Sequence, residues 1–166
     1  MENYADIKIS YEFAVSHSDL SWKDIKFGID YGYLKSDHAI AHAVNELAEI
    51  LNEQQSPLSD LEGLAFLLRG EDVEPFLTNL SKFDDKELEV VKEKWLYLVL
   101  KWVYLHKDSL YSDPLDLIEL IYSDFDYPCS ISNLVRYMPK ENASKYTSSG
   151  EQLIFDMWLD YLKSQE

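Results

Sequence analysis

Apolar residues recur at intervals of three and four along most of this chain, which is the spacing of amphipathic helices. The clearest case is the segment 36–53, where this pattern follows a polar N-cap. Comparable patterns predict further helices at 18–34, 56–70, 71–83, 84–108, 112–125 and 149–166. The short breaks between them predict an all-α fold, either an irregular helical bundle or a short α-solenoid of helical hairpins.

The most apolar run, "WLYLVLKWVYL" at 95–105, lies in the longest predicted helix. It is about half the roughly 20 residues that cross a bilayer, and Lys101 interrupts it. A helix that is apolar around its whole circumference is buried in protein, so we expect a core helix here and no membrane span. With 166 residues and no long linker, the chain is predicted to form a single helical domain, 1–166.

The N-terminal segment 6–17 fits two structures. Strict alternation of apolar residues indicates a half-buried strand, and a second set of apolar residues at helical spacing indicates a helix. No partner strand is evident elsewhere in the sequence, so the segment is left as either a helix or an edge strand.

The stretch "DFDYPCSISNLVRYMP" is predicted to be a structural corner. Tyr127 precedes Pro128, which ends the helix before it, and a further short helix is expected after the proline. Asp124 and Asp126 are expected to face outward. Arg136 is expected within reach of one of these aspartates, in an ion pair that fixes the corner.

The net charge of the chain favours some kinds of binding partner over others. The chain has 31 acidic against 15 basic residues, a formal charge of −16, which repels nucleic-acid phosphates and attracts basic proteins. Cys129 is the only cysteine, so no disulfide forms within the chain and a reducing compartment is favoured. The start "MENYADIKIS" lacks the basic and apolar parts of a signal peptide, and a cytoplasmic location is expected.

The acidic residues around the 112–125 helix are the predicted partner-binding surface. Asp113, Asp116 and Glu119 follow one another at intervals of three, and Asp124 and Asp126 continue the run. Such a row of carboxylates would bind a basic protein partner. Catalysis by these groups would also require an enclosed site that shifts their pKa values.

Familiar catalytic motifs, such as GxGxxG, GxSxG and HExxH, do not occur in the sequence, which favours a protein without enzymatic activity. The alternative is a metal-assisted hydrolase built on His38 and His42, which are four residues apart on one helix face, with Asp37 and Glu46 nearby. The pair lacks the glutamate base of zinc proteases. We therefore predict no cofactor and treat these histidines only as weak metal candidates.

The blocks "DLSWKDIKFGIDYG" (19–32) and "LIELIYSDFDYPCSISNLVRYMP" (117–139) resemble a bacterial family of small acidic cytosolic proteins of unknown function. Members resemble proteins encoded beside polymorphic toxins, and the resemblance implies an immunity protein that neutralises a basic toxin. A third hypothesis is an oligomeric scaffold, since 12 tyrosines and four tryptophans provide aromatic surface for self-association. The oligomeric state is left open.

Overall fold

The computed structural model describes residues 2–50, 59–109 and 112–165. The α-helices of these residues are α1 Tyr11–His17, α2 Trp22–Asp30, α3 Asp37–Ile50, α4 Ser59–Ala65, α5 Glu74–Lys82, α6 Leu88–His106, α7 Pro114–Asp124 and α8 Gly150–Ser164. Short 3-10 helices at Cys129–Leu134 and Ala143–Lys145 follow α7. No β-strand occurs in the described ranges, and the all-α prediction is confirmed. Predicted helical residues 51–53, 56–58 and 166 lie outside them.

The chain forms two compact units, and the first consists of Lys8–Val91. In this unit α4 packs against α3 and α5, while α2 packs against α5 and α3. Its core side chains are almost completely buried, and they include Ile25, Ala39, Leu61, Leu64 and Leu77. The consecutive helices α4 and α5 thus pack against each other within this unit.

The second unit combines Met1–Ile7 with Lys92–Glu166. The 3-10 helix Cys129–Leu134 packs against both α7 and α8. In α6, six consecutive residues, 95–100, are buried, as expected for a helix apolar on all sides. Among the described helices, none combines the length and apolarity that a bilayer crossing requires.

The ambiguous segment 6–17 contains a helix in its second half. Ser10 is the N-cap of α1, and its hydroxyl accepts a hydrogen bond from the backbone N–H of Phe13 at 3.2 Å. The residues from Asp6 to Ile9 form no regular element, Ile7 and Ile9 are buried, and the N–H of Ile9 donates to the carbonyl of Tyr33 at 2.9 Å. The strand-like alternation thus reflects two buried isoleucines ahead of a helix.

The short helix expected after Pro128 is a 3-10 helix that ends at Leu134, and not an α-helix. Ile131 and Leu134 are both completely buried. Residues three apart lie on the same face of a 3-10 helix, because it has three residues per turn. The spacing of the apolar residues was therefore compatible with either helix type.

The predicted corner at the end of α7 is a Schellman motif. The N–H of Tyr127 donates to the carbonyl of Tyr122 at 2.8 Å, and the N–H of Asp126 donates to the carbonyl of Ser123 at 3.2 Å. Asp126 has a φ of 61°, the left-handed conformation that glycine usually provides at this position. The rings of Tyr122 and Tyr127 meet edge to face at 5.3 Å, which supplies the apolar contact typical of the motif.

Two substitutions at Asp126 separate backbone conformation from charge, since Asp126→Gly and Asp126→Ala both remove the carboxylate. A left-handed conformation costs a residue with a Cβ about 1–2 kcal/mol. The greater freedom of glycine in the unfolded chain offsets about 0.4–1 kcal/mol of this difference. We expect the glycine variant to be about 0.5–1 kcal/mol more stable in urea unfolding, and equal stabilities would contradict the assignment.

Candidate protein-binding groove

The acidic run predicted as a binding surface is divided by the structure. Asp113 is the N-cap of α7, and its carboxylate accepts hydrogen bonds from the N–H groups of Leu115 and Asp116. Asp116 is exposed, and Glu119 is partly exposed one turn further along the same helix. The role of these residues in partner binding stays a prediction.

The expectation that Asp124 faces outward is wrong. Asp124 is 2% exposed, and its two carboxylate oxygens accept hydrogen bonds from the N–H groups of Tyr4 and Ala5, at 3.1 and 3.2 Å. Asp126 is exposed as expected, and its carboxylate lies 3.7 Å from Nζ of Lys92. Asp124 therefore holds the N-terminal segment within its unit and is no part of an exposed acidic face.

Replacing Asp124 by alanine tests this structural role. The N–H groups of Tyr4 and Ala5 would lose their acceptors, at a cost of about 1–3 kcal/mol for a buried group left unsatisfied. We expect Asp124→Ala to lower the free energy of unfolding by this amount and to accelerate hydrogen exchange at Tyr4 and Ala5. Asp116→Ala, on the exposed side of the same helix, should leave the exchange of both amides unchanged.

Arg136 does fix a corner by ion pairing, but its partners differ from those predicted. Its guanidinium contacts Asp113 at 2.6 Å and Glu151 at 3.0 Å, and it also pairs with Asp116. It follows the 3-10 helix that packs against α7 and α8, so its side chain reaches the N-terminal ends of both helices. The hydrogen bond from Arg136 holds the pKa of Asp113 below its usual value, and the same bond raises the pKa of Arg136.

This cluster predicts a pH-dependent contribution to stability. Because the pKa of Asp113 is depressed in the folded protein, the stabilisation is present above the ordinary aspartate pKa of 3.8 and is lost as the pH falls through the lower, folded value. At pH 7 we expect Arg136→Gln to lower the free energy of unfolding only modestly, because the ion-pair network is exposed.

The measurement is urea unfolding of wild type and variant between pH 7 and about pH 2, where the difference should begin to shrink once the pH falls below 3.8. Arg69→Gln removes the other arginine of the chain and is the matched control. A difference for Arg136→Gln that stays constant down to about pH 2 would contradict the ion-pair role.

His38 and His42 each use one ring nitrogen in a contact within the protein. Nδ1 of His38 accepts a hydrogen bond from the N–H of Lys35 at 3.2 Å, and Nδ1 of His42 lies 2.9 Å from the hydroxyl of Tyr11. Burial lowers the pKa of both histidines. Within the described ranges, no group of three or more histidine, cysteine, aspartate or glutamate side chains is placed to hold a metal ion.

The first unit contains a groove of about 1150 Å³. Its aromatic wall includes Tyr11 from α1, Trp22 from the start of α2, and His42 from α3. The indole ring of Trp22 meets the imidazole of His42 edge to face at 4.8 Å, and Asn45 donates to the Tyr11 hydroxyl at 3.3 Å. These contacts hold the aromatic wall in a fixed arrangement.

Four carboxylates surround this wall: Asp19, Glu46, Asp60 and Asp84. No lysine or arginine occurs among the described residues that line the groove. Asp84 also has a structural role, because it accepts a hydrogen bond from the N–H of Lys23 in the first turn of α2 at 2.9 Å. Burial opposes its ionisation, but hydrogen bonds from Ser21 and from backbone N–H groups hold its pKa below the usual value.

Two further side chains of the groove bear on recognition. Phe83 is 87% exposed, although a phenylalanine gains free energy from burial. Trp22 is nine-tenths buried, and its indole N–H has no hydrogen-bond partner among the described residues. The groove thus combines an exposed aromatic ring, an unsatisfied donor and negative charge.

Sequence analysis did not identify this groove. Its carboxylates come from four separate places in the chain, whereas the acidic run of 113–126 is contiguous and easily noticed. One signal was present: Lys8–Val91 contains 17 of the 31 acidic residues but only seven of the 15 basic ones. The first unit is therefore the more acidic of the two.

The fold and the groove define an all-α protein with an acidic concave surface. The model of a bacterial family, described as an uncharacterized protein conserved in bacteria and designated DUF2247, matches residues 11–166. The chain belongs to this family, which confirms the resemblance to a bacterial family of unknown function. No curated protein and no solved structure matches the chain.

Proposed function

We propose that this protein is a non-enzymatic binding module that holds a basic protein partner in the groove of Lys8–Val91. The observation that carries the proposal is the groove itself, where four carboxylates surround an aromatic wall and no lysine or arginine is present among the described lining residues. A basic partner matches this charge, and opposite charges accelerate association by about 10- to 1,000-fold.

The proposal extends to the biological role. The resemblance to proteins encoded beside polymorphic toxins supports an immunity protein that neutralises a basic toxin in the cytoplasm. Binding to a cationic surface of an enzyme blocks access to substrate without any chemistry in the inhibitor. This fits a chain with net charge −16 and a single cysteine.

The groove is favoured over the acidic run of the second unit because its carboxylates line a concave surface together with aromatic side chains. In the acidic run, Asp113 and Asp116 contact Arg136, and Asp126 lies beside Lys92. Asp84 of the groove is likewise near a cation, Lys86. The hydrolase alternative gains no support from His38 and His42, because no group of three or more potential metal ligands occurs among the described residues. We propose the 113–126 region only as a secondary contact, through Glu119 and Asp116.

Charge reversal on α4 tests the proposal with a matched control. Asp60 lines the groove, whereas Glu62 is exposed on the same first turn and does not line it. Residues two apart point to nearly opposite faces of a helix. Asp60→Lys and Glu62→Lys change the net charge equally, so they differ only in position.

The probe is a labelled 16-residue peptide of leucine, lysine and arginine, titrated by fluorescence anisotropy in about 0.1 M salt, where the screening length is about 10 Å. We expect Asp60→Lys to weaken binding about tenfold or more and Glu62→Lys to change it less than about threefold. Binding of the wild type should also weaken steeply as salt is raised. Equal effects of the two substitutions would contradict the groove as the binding site.

A further inference from the structure

The groove restricts the conformation of its partner as well as its charge. We infer, on the basis of the proposed function, that the occupant is a basic amphipathic α-helix of the partner protein whose apolar face packs against Phe83. Exposed apolar side chains at the groove include Phe83 and Val15, which is 40% exposed. Apolar side chains beside carboxylates match a helix with one apolar and one cationic face.

Backbone hydrogen bonding favours a helix over an extended peptide. The described residues that line the groove belong to helices and the turns that join them, and the described ranges contain no strand edge. An extended peptide that binds as an added strand needs such an edge to pair its backbone N–H and C=O groups. A helix satisfies most of these groups internally.

The volume of the groove fits a short helix. A helix about 10 Å across occupies roughly 120 Å³ per residue at a rise of about 1.5 Å, and about 1150 Å³ therefore corresponds to on the order of ten residues. That length is about three turns, enough to place two or three apolar side chains on one face. It also exceeds the range of about 300–1,000 Å³ that is typical of small-molecule pockets.

Charge argues against a second copy of this chain as the occupant. Each copy carries a net charge of −16, and bringing two acidic surfaces together in the groove is opposed by repulsion. A helix with lysine or arginine on its polar face would instead place cations near Asp19, Glu46, Asp60 and Asp84. The partner is therefore a different protein with a basic helical segment.

Two exposed phenylalanines provide a matched pair of variants. Phe83 is 87% exposed at the groove, and Phe66 is 82% exposed on the same unit but does not line the groove. Truncation of either ring should change stability by no more than about 0.5 kcal/mol, as for most exposed positions. Differences in binding between Phe83→Ala and Phe66→Ala then report on the contact.

The experiment compares three 16-residue peptides with the full-length protein. The first places leucines on one helical face and lysines and arginines on the other, the second scrambles the same residues so that no apolar face forms, and the third replaces the cations of the first by glutamate. Anisotropy gives the dissociation constants, and circular dichroism of the mixture gives the helicity gained on binding. Light scattering measures the mass of the protein alone.

We expect the amphipathic peptide to bind at least about tenfold more tightly than the scrambled one and to gain helicity. Phe83→Ala should weaken its binding at least about fivefold, and Phe66→Ala should not. Equal binding of the amphipathic and scrambled peptides, or no effect of Phe83→Ala, would overturn the helical occupant while leaving the proposed function intact. If neither basic peptide binds better than the glutamate peptide, the proposed function fails as well. A dimer mass in light scattering would identify a second copy of the chain as the occupant.

Discussion

The structure depends on carboxylates that accept hydrogen bonds from backbone N–H groups left without helical partners. Asp113 does this at the first turn of α7, Asp84 does it at the first turn of α2, and Asp24 accepts from the N–H of Ser21 just before α2. Asp124 serves the turn at Tyr4 and Ala5 in the same way. At a helix start, such a carboxylate satisfies a backbone donor and also interacts favourably with the positive end of the helix dipole.

The acidic residues behind the net charge of −16 therefore have several different roles. Part of the acidity holds helix ends and turns in place, and another part is balanced by cations nearby, as in the cluster of Arg136 with Asp113, Asp116 and Glu151. The groove of Lys8–Val91 differs because its carboxylates stand beside aromatic surface and its described lining contains no lysine or arginine. The same residue type therefore acts as a helix cap, an ion-pair partner or a recognition element according to its neighbours.

The sequence predicts the position of a helix end correctly, but it does not predict the hydrogen-bond and ion-pair partners of Arg136 and Asp124. The proline at 128 and the apolar spacing before it correctly placed the end of α7, because these effects act within a few residues. The partners of Arg136 are 15 to 23 positions away, and those of Asp124 are about 120 positions away. Contacts between residues so far apart in the chain leave no signal in local periodicity. The prediction that Arg136 pairs with the nearest aspartates in the sequence was therefore wrong.

The sequence by itself determined the all-α fold, the order of the helices, the buried stretch 95–100 and the excess of acidic over basic residues, because periodicity, capping residues and composition are local or additive properties. Only the tertiary structure decided that Asp124 is buried, that Arg136 joins the ends of α7 and α8, and that Asp19, Glu46, Asp60 and Asp84 meet around one groove. The physical reason is that a groove consists of surfaces from several helices. Its charge and its aromatic wall are set by packing between residues far apart in the chain.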